Sequence, residues 1–165
     1  MKKWLVFYTK SRHEKKSSEF LIKRGYEVFL PLQKVMRQWS DRKKKVEVPL
    51  FNSYVFVHDT EDKIPQILQT PGISWNIRYN DKPAILRQEE LAIIQRFLSS
   101  GLFIETSATP SMGVGDEVEV IDGALKGLRG SIIHSSAGDK FSVLLESIRQ
   151  NIIVTVAPVT LKIVN

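Results

Sequence analysis

The chain has 165 residues, of which 42% are hydrophobic and 25% charged, a balance that suits a folded protein and excludes a disordered one. Cysteine is absent, which excludes a disulfide framework and thiolate chemistry and fits a reducing cytoplasm. The net charge of +6 is uneven: residues 1–99 hold 19 Lys and Arg against 11 Asp and Glu, while residues 100–165 hold 5 against 7. A basic front and a mildly acidic back predict two domains with different partners, the front being the one suited to nucleic acid.

The apolar run from Trp4 to Tyr8 is stopped by Thr9 and Lys10, too short for an export segment, and no stretch is long enough to span a bilayer. A cytoplasmic protein without a membrane partner is expected. The same run is β-branched and aromatic, and reads as a central strand over 4–9. Residues 12–24 read as a helix with Ser17, Phe20 and Leu21 on its inner stripe, followed by Gly25 where a helix end favours glycine. A second strand over 26–31 is ended, or made an edge, by Pro31. From Leu32 to Val48 the pattern is a long hairpin: Val35, Trp39, Val46 and Val48 are apolar, and Ser40-Asp41-Arg42 makes the turn. Residues 50–57 return as a strong strand. A short helix over 61–69 turns Ile64, Ile67 and Leu68 inward and ends at Thr70-Pro71-Gly72. A further strand covers 73–79, and an amphipathic helix over 87–98 carries Leu91, Ile94 and Leu98 on one face.

Residues 105–113 are small and polar without apolar periodicity, and read as a linker. Only short strands follow, over 117–121, 130–135, 140–146, 151–156 and 161–164, with a hairpin turn at Ala137-Gly138-Asp139. The order predicts an α+β domain over 1–101, a linker over 102–113 and a small all-β barrel over 114–165.

Within the barrel, the run from Gly115 to Ile133 is the most informative stretch. Val118, Val120 and, past the turn, Ile132 carry the period-2 signature of a half-buried sheet, and glycines fall at 123, 127 and 130. Glycine there supplies positive φ or lets backbones approach closely, as a tightly curled barrel requires. A phosphate cradle would need Gly-Lys-Ser/Thr opening a helix, whereas Gly130-Ser131-Ile132-Ile133 opens a strand. This run resembles the KOW motif found at the C-terminus of NusG-type transcription factors and in several ribosomal proteins.

The N-terminal half resembles the NusG N-terminal (NGN) domain at several points in the right order. These are Trp4 to Tyr8, the basic helix Arg12 to Arg24, Pro31-Leu32-Gln33-Lys34-Val35 at the entry to a basic hairpin, and Phe51-Asn52-Ser53-Tyr54-Val55-Phe56-Val57. Thr70-Pro71-Gly72-Ile73 and Lys82-Pro83-Ala84 complete the set. The segment Arg37 to Lys45 looks most like the UpxY group of specialised NusG paralogues, antiterminators of capsular polysaccharide operons. Many family members have Pro-Gly where this chain has Asn52-Ser53, so the turn before Tyr54 is expected to differ.

The resemblance implies that an aromatic face of the NGN sheet grips the clamp helices of the RNA polymerase largest subunit, through Trp4, Tyr8, Phe51, Tyr54 and Phe56. Tyr54 and Phe56 share one strand face while Val55 and Val57 point the other way. It implies further that Lys34, Arg37, Arg42, Lys43, Lys44 and Lys45 of the hairpin contact non-template DNA or nascent RNA. Trp39 among them is able to stack on an unpaired base. In the barrel, the positions matching the family's Rho- or ribosome-binding loop residues are Leu125, Leu128 and Ile148. Family members often carry aromatics there, and aliphatics suit an antiterminator that has lost Rho binding.

His13, His58 and His134 fall in different elements without metal-ligand spacing, and Ser17-Ser18 and Ser135-Ser136 lack a nucleophile elbow. No enzyme chemistry and no cofactor are therefore expected. The reading is a binding protein that regulates transcription elongation and antitermination. A housekeeping NusG-like factor coupling polymerase to Rho or the ribosome, and a ribosome-associated KOW protein, are the alternatives.

Overall fold

The structure is a computed structural model that describes residues 1–108, 115–134, 136, 138–156 and 160–164; Ala137 of the expected hairpin turn and residues 109–113 of the expected linker lie outside them. The chain divides into two units, residues 1–91 and 92–165. It is an α+β protein built on antiparallel sheets, as expected.

In the first unit the apolar alternation around Trp4 to Tyr8 produces β1 (Lys3–Thr9), which lies at the centre of a sheet. It pairs on one side with β5 (Tyr54–Asp59), which in turn pairs with β2 (Glu27–Phe29). On its other side β1 pairs with β6 (Ile73–Asn76) at one end and β9 (Ile85–Leu86) at the other. Leu5 and Phe7 of β1, Val55 and Val57 of β5, and Ile73 of β6 form one apolar core, largely aliphatic. Leu21 of α1 (Glu14–Lys23) joins them, with Ile64 and Ile67 of α2 (Ile64–Ile67), which follows a 3-10 turn over Glu61–Lys63. The inner stripe of α1 differs from expectation. Glu14, Ser17, Ser18 and Leu21 are buried whereas Phe20 is exposed, because small serines bring the helix close to the loop at Gly72, where Ser17 Oγ bonds the Pro71 carbonyl at 2.9 Å.

Two smaller ladders complete this unit. The expected hairpin forms as β3 (Leu32–Gln38) and β4 (Lys43–Pro49), a two-stranded sheet of its own. The expected strand over 73–79 is instead broken after Asn76, and β7 (Arg78–Tyr79) turns back on β8 (Lys82–Pro83). Asn80 and Asp81 both take positive φ there, the conformation of a tight hairpin turn. The boundary between the units falls inside α3 (Gln88–Ser99). Its buried apolar positions are Leu91, Ile94 and Phe97, with Leu98 only partly covered, so the inner stripe ends on Phe97 where the sequence suggests Leu98.

The second unit holds a six-stranded antiparallel sheet of order β10-β14-β13-β12-β11-β15. These are β10 (Ile104–Ser107), β11 (Glu117–Val120), β12 (Arg129–Ile133), β13 (Lys140–Leu145), β14 (Gln150–Thr155) and β15 (Leu161–Ile163). Five of the strands match the expected ones. β10 does not: it lies in the stretch read as linker, because an edge strand needs backbone pairing on one side only and a single apolar anchor, here the buried Ile104. The C-terminal half of α3 also belongs to this unit, ten residues short of the expected border. The Phe97 ring stacks on Phe141 at 6.4 Å, and Arg96 donates to the carbonyls of Ala124 and Lys126 at 3.0 and 2.8 Å.

The glycines behave as their spacing suggests. Gly123 and Gly127 take φ of 89° and 93°, while at Gly130 an added Cβ would lie 2.2 Å from the Ser142 carbonyl oxygen.

Candidate functional site

The two sides of the first sheet differ in chemistry. Register pairs Trp4 with His58, Val6 with Phe56 and Tyr8 with Tyr54, so these six share the side opposite the aliphatic core. Their rings form a connected array. Trp4 stacks on His58 at 4.8 Å and meets Phe29 edge-on at 6.1 Å; Phe29 packs on Phe56 at 5.9 Å. Phe51 contacts both Tyr54, at 6.3 Å, and Phe56, at 6.2 Å, and Tyr54 lies edge-on to Tyr8 at 6.0 Å. All five residues assigned to a polymerase contact are therefore brought together. Phe51 and Phe56 are buried, however, at 3% and 0% exposure, and act as the floor of the array. Trp4, Tyr8 and Tyr54 are partly exposed.

Trp75, which sequence reasoning passed over, extends this array. It pairs with Tyr8 in the ladder and stacks flat on it, with centroids 4.5 Å apart and planes 5° from parallel, while 54% exposed. In an unbroken strand Trp75 would share a face with Ile73. A bulge between the Tyr8 and Thr9 pairings lets Ile73 enter the aliphatic core while Trp75 turns to the aromatic side. No period-2 pattern signals that reversal; the only sequence hint is an exposed-type Ser74 between two large apolar residues.

The turn that launches β5 also has its own support. Ser53 takes φ of 68°, a conformation that favours glycine, and its amide donates to the buried Glu14 carboxylate at 2.8 Å. Its carbonyl accepts from the Thr9 amide at 2.7 Å.

The basic hairpin sorts its charges by face. Arg37 pairs with Lys44 and Val35 with Val46, whereas Gln38 pairs with Lys43, Met36 with Lys45 and Lys34 with Glu47. Alternation therefore gathers Arg37, Trp39, Arg42 and Lys44 on one face, and Lys34, Lys43 and Lys45 on the other with Glu47. Contacts agree: Lys44 Nζ sits 4.8 Å and Arg42 Cζ 5.7 Å from the Trp39 ring centroid. The Trp39 amide donates to the Arg42 carbonyl at 2.7 Å, closing the turn. The first face thus combines three cations and an aromatic plane without an acid, the composition suited to a phosphate backbone and an unpaired base.

In the second unit, Leu125 and Ile148 are buried at 3% and 1%, and Leu128 is partly exposed. Two of the three residues assigned to a barrel partner therefore do not present a surface in this structure. Of the histidines, His58 meets Glu27 at 2.9 Å, His134 meets Asp139 at 2.9 Å and His13 meets the Ser11 carbonyl at 2.9 Å, three separate places. Among the described residues no helix is long and apolar enough to cross a membrane.

A basic and aromatic α+β unit followed by a glycine-punctuated all-β unit is consistent with the NGN plus KOW arrangement of NusG-type transcription factors. The model of a family described as "Transcription termination factor nusG" matches residues 2–95. The chain is also 30% identical over 146 residues to the transcription termination/antitermination protein NusG of Streptococcus pyogenes serotypes M1 and M3, with 80% of each chain covered. It belongs to the NusG family, whose members are transcription factors that interact with RNA polymerase and are not enzymes. A structure of Thermotoga maritima NusG, described for its domain interaction, shares the fold with a TM-score of 0.62 at 18% identity, over 100% of this chain and 98% of that one.

Proposed function

We propose that the protein is a specialised NusG-type elongation regulator that rides on RNA polymerase in the cytoplasm and suppresses pausing and termination, acting on a capsular polysaccharide operon. The observation that carries this reading is the division of the first sheet. One side is a closed, largely aliphatic core under α1 and α2 that includes Phe7, and the other is an aromatic array whose rim of Trp4, Tyr8, Tyr54 and Trp75 retains exposure. Large amphipathic rings on a rigid sheet supply contact area at little entropic cost, which suits them to the apolar ridge of a helical partner such as the polymerase clamp helices.

The hairpin supports the second half of the reading. Its Arg37, Trp39, Arg42 and Lys44 face holds the non-template strand or the nascent RNA, while the aromatic array stays on polymerase. The operon class rests on the likeness of Arg37 to Lys45 to the UpxY group. Because Leu125 and Ile148 are buried, a barrel contact with Rho or the ribosome through those side chains is no part of the proposal.

Affinity capture from lysate with mass spectrometry separates the possible partners in one experiment. Recovery of polymerase subunits, lost in Tyr54→Ala, is the expected result. Recovery of ribosomal proteins without polymerase overturns it.

A further inference from the structure

We propose that the outer edge of β14 is a docking site for an extended strand of a partner protein, held shut by β10, and that the strand it accepts carries an apolar residue followed by a carboxylate. The sheet of the second unit runs β10-β14-β13-β12-β11-β15, so among the described residues β10 is the strand paired on that edge of β14. The two sides of β14 are unequal. Toward β13 the ladder runs through six register pairs, from Lys140↔Thr155 to Leu145↔Gln150. Toward β10 it has four, from Ile104↔Val154 to Ser107↔Asn151.

The covering strand also buries little apolar surface. Of Ile104, Glu105, Thr106 and Ser107 only Ile104 is apolar and buried, while Glu105 is exposed. What it covers is the reverse: Asn151, Ile152, Ile153 and Val154 are all buried, and three of them are β-branched and aliphatic. A strand of this kind with its amides and carbonyls uncovered is a template for addition of another strand.

The pattern of the accepted strand is read from β10 itself. Ile104 fills the position opposite Val154, and the Glu105 carboxylate reaches Lys140 Nζ at 2.8 Å. A replacement strand meets the same two requirements: an apolar side chain opposite Val154 and, next to it, an acid for Lys140. Main-chain pairing supplies affinity, and these two positions supply selectivity. β10 is thus an internal copy of the ligand, and its release is the step that opens the site.

The test uses a dye-labelled peptide of this chain's residues 100–107, Ser-Gly-Leu-Phe-Ile-Glu-Thr-Ser, read by fluorescence anisotropy against the full chain. The double variant Ile104→Ser, Glu105→Ser removes the buried side chain and the ion pair of β10 and leaves its backbone ladder as its main tie to β14. It is expected to bind the peptide at least about tenfold more tightly than the parent, because the parent's edge is occupied. A peptide carrying Glu105→Lys should bind the double variant more weakly, and that difference should vanish when Lys140→Ala is added. A variant whose barrel keeps its dispersed amide spectrum but does not bind the peptide overturns the proposal. So does a variant that elutes as a dimer, since a second copy then claims the edge.

Hydrogen exchange on the unaltered chain tests it without mutation. Amides paired between β10 and β14 should exchange about tenfold or more faster than those paired between β13 and β14. Equal protection would mean that β10 opens only when the whole barrel does, and would overturn the proposal.

Discussion

The buried carboxylate of Glu14, in the first turn of α1, accepts the backbone amide of Ser53 at 2.8 Å across 39 residues of sequence. Ser53 holds φ at 68°, and the next residue begins β5, so this bond fixes the angle at which Tyr54 enters the aromatic array. The chain thus shapes this turn with a side-chain hydrogen bond that reaches from α1.

Glu14→Ala is therefore expected to destabilise the first unit by about 1–3 kcal/mol, the cost of leaving a buried donor unsatisfied. Ser53→Gly should act in the opposite sense, by up to about 1 kcal/mol, because glycine relieves the left-handed strain but adds unfolded-state entropy. Tryptophan fluorescence during urea unfolding checks both, since Trp4, Trp39 and Trp75 all lie in residues 1–91 and report on that unit alone.

Burial separates the aromatic residues into two mutational classes. Phe56→Ala empties a fully buried site and should cost about 3–5 kcal/mol of stability, so its effect on polymerase binding follows from unfolding. Tyr54→Ala and Trp75→Ala should leave the unfolding midpoint within about 1 kcal/mol of the parent yet weaken polymerase binding by about 2 kcal/mol or more for a central contact. Calorimetric titration against core polymerase, run beside the unfolding curves, distinguishes the classes. Parent-like affinity in a folded Tyr54→Ala, Trp75→Ala double variant would remove this surface from the interface.

The hairpin's effect should be electrostatic and tied to one face. Reversing Arg42, Lys43, Lys44 and Lys45 to Glu should leave polymerase affinity near normal, reduce terminator readthrough, and flatten the log–log salt dependence of forked-DNA binding. About 0.7–0.9 of slope is lost per phosphate contact removed. Arg37→Ala with Lys44→Ala should flatten it more than Lys43→Ala with Lys45→Ala, because only the first pair shares the Trp39 face. Trp39→Ala should weaken binding by about 1–3 kcal/mol with little change of slope. Filter binding across a salt series measures all of these, and an unchanged slope in the charge-reversed protein would make the hairpin a protected sheet edge only.

In the second unit, the glycines should divide by the reason each is glycine. Gly130→Ala drives a methyl to 2.2 Å from the Ser142 carbonyl and 2.9 Å from the Phe141 ring, and should cost more than about 2 kcal/mol through backbone displacement. Gly123→Ala meets open space and should cost about 1–2 kcal/mol through its positive φ alone. Denaturation followed through barrel amide resonances is the suitable measurement, and equal costs would refute the close-approach account of Gly130.

The difference between what was legible and what was not follows the range of the interaction. Periodicity over a few residues marked β1, where Leu5 and Phe7 repeat on one buried face, and turn and alternation signals marked the hairpin and five strands of the second unit. Clustered Lys and Arg marked the hairpin as a charged surface, since charge density needs no folding to be counted. The sorting of those charges, with Arg37, Arg42 and Lys44 around Trp39, required the register of β3 against β4.

The amino-acid sequence by itself determined the α+β order, the all-β character of the C-terminal region, the basic hairpin and the membership of the NusG family. Tertiary structure decided what no local pattern encodes. A bulge on β6 brought Trp75 onto Tyr8, and packing buried Phe51, Phe56, Leu125 and Ile148 where motif position alone would expose them. Pairing with β14 made a strand of Ile104–Ser107, four residues with one apolar side chain, because backbone hydrogen bonds to a preformed edge do not depend on side-chain period.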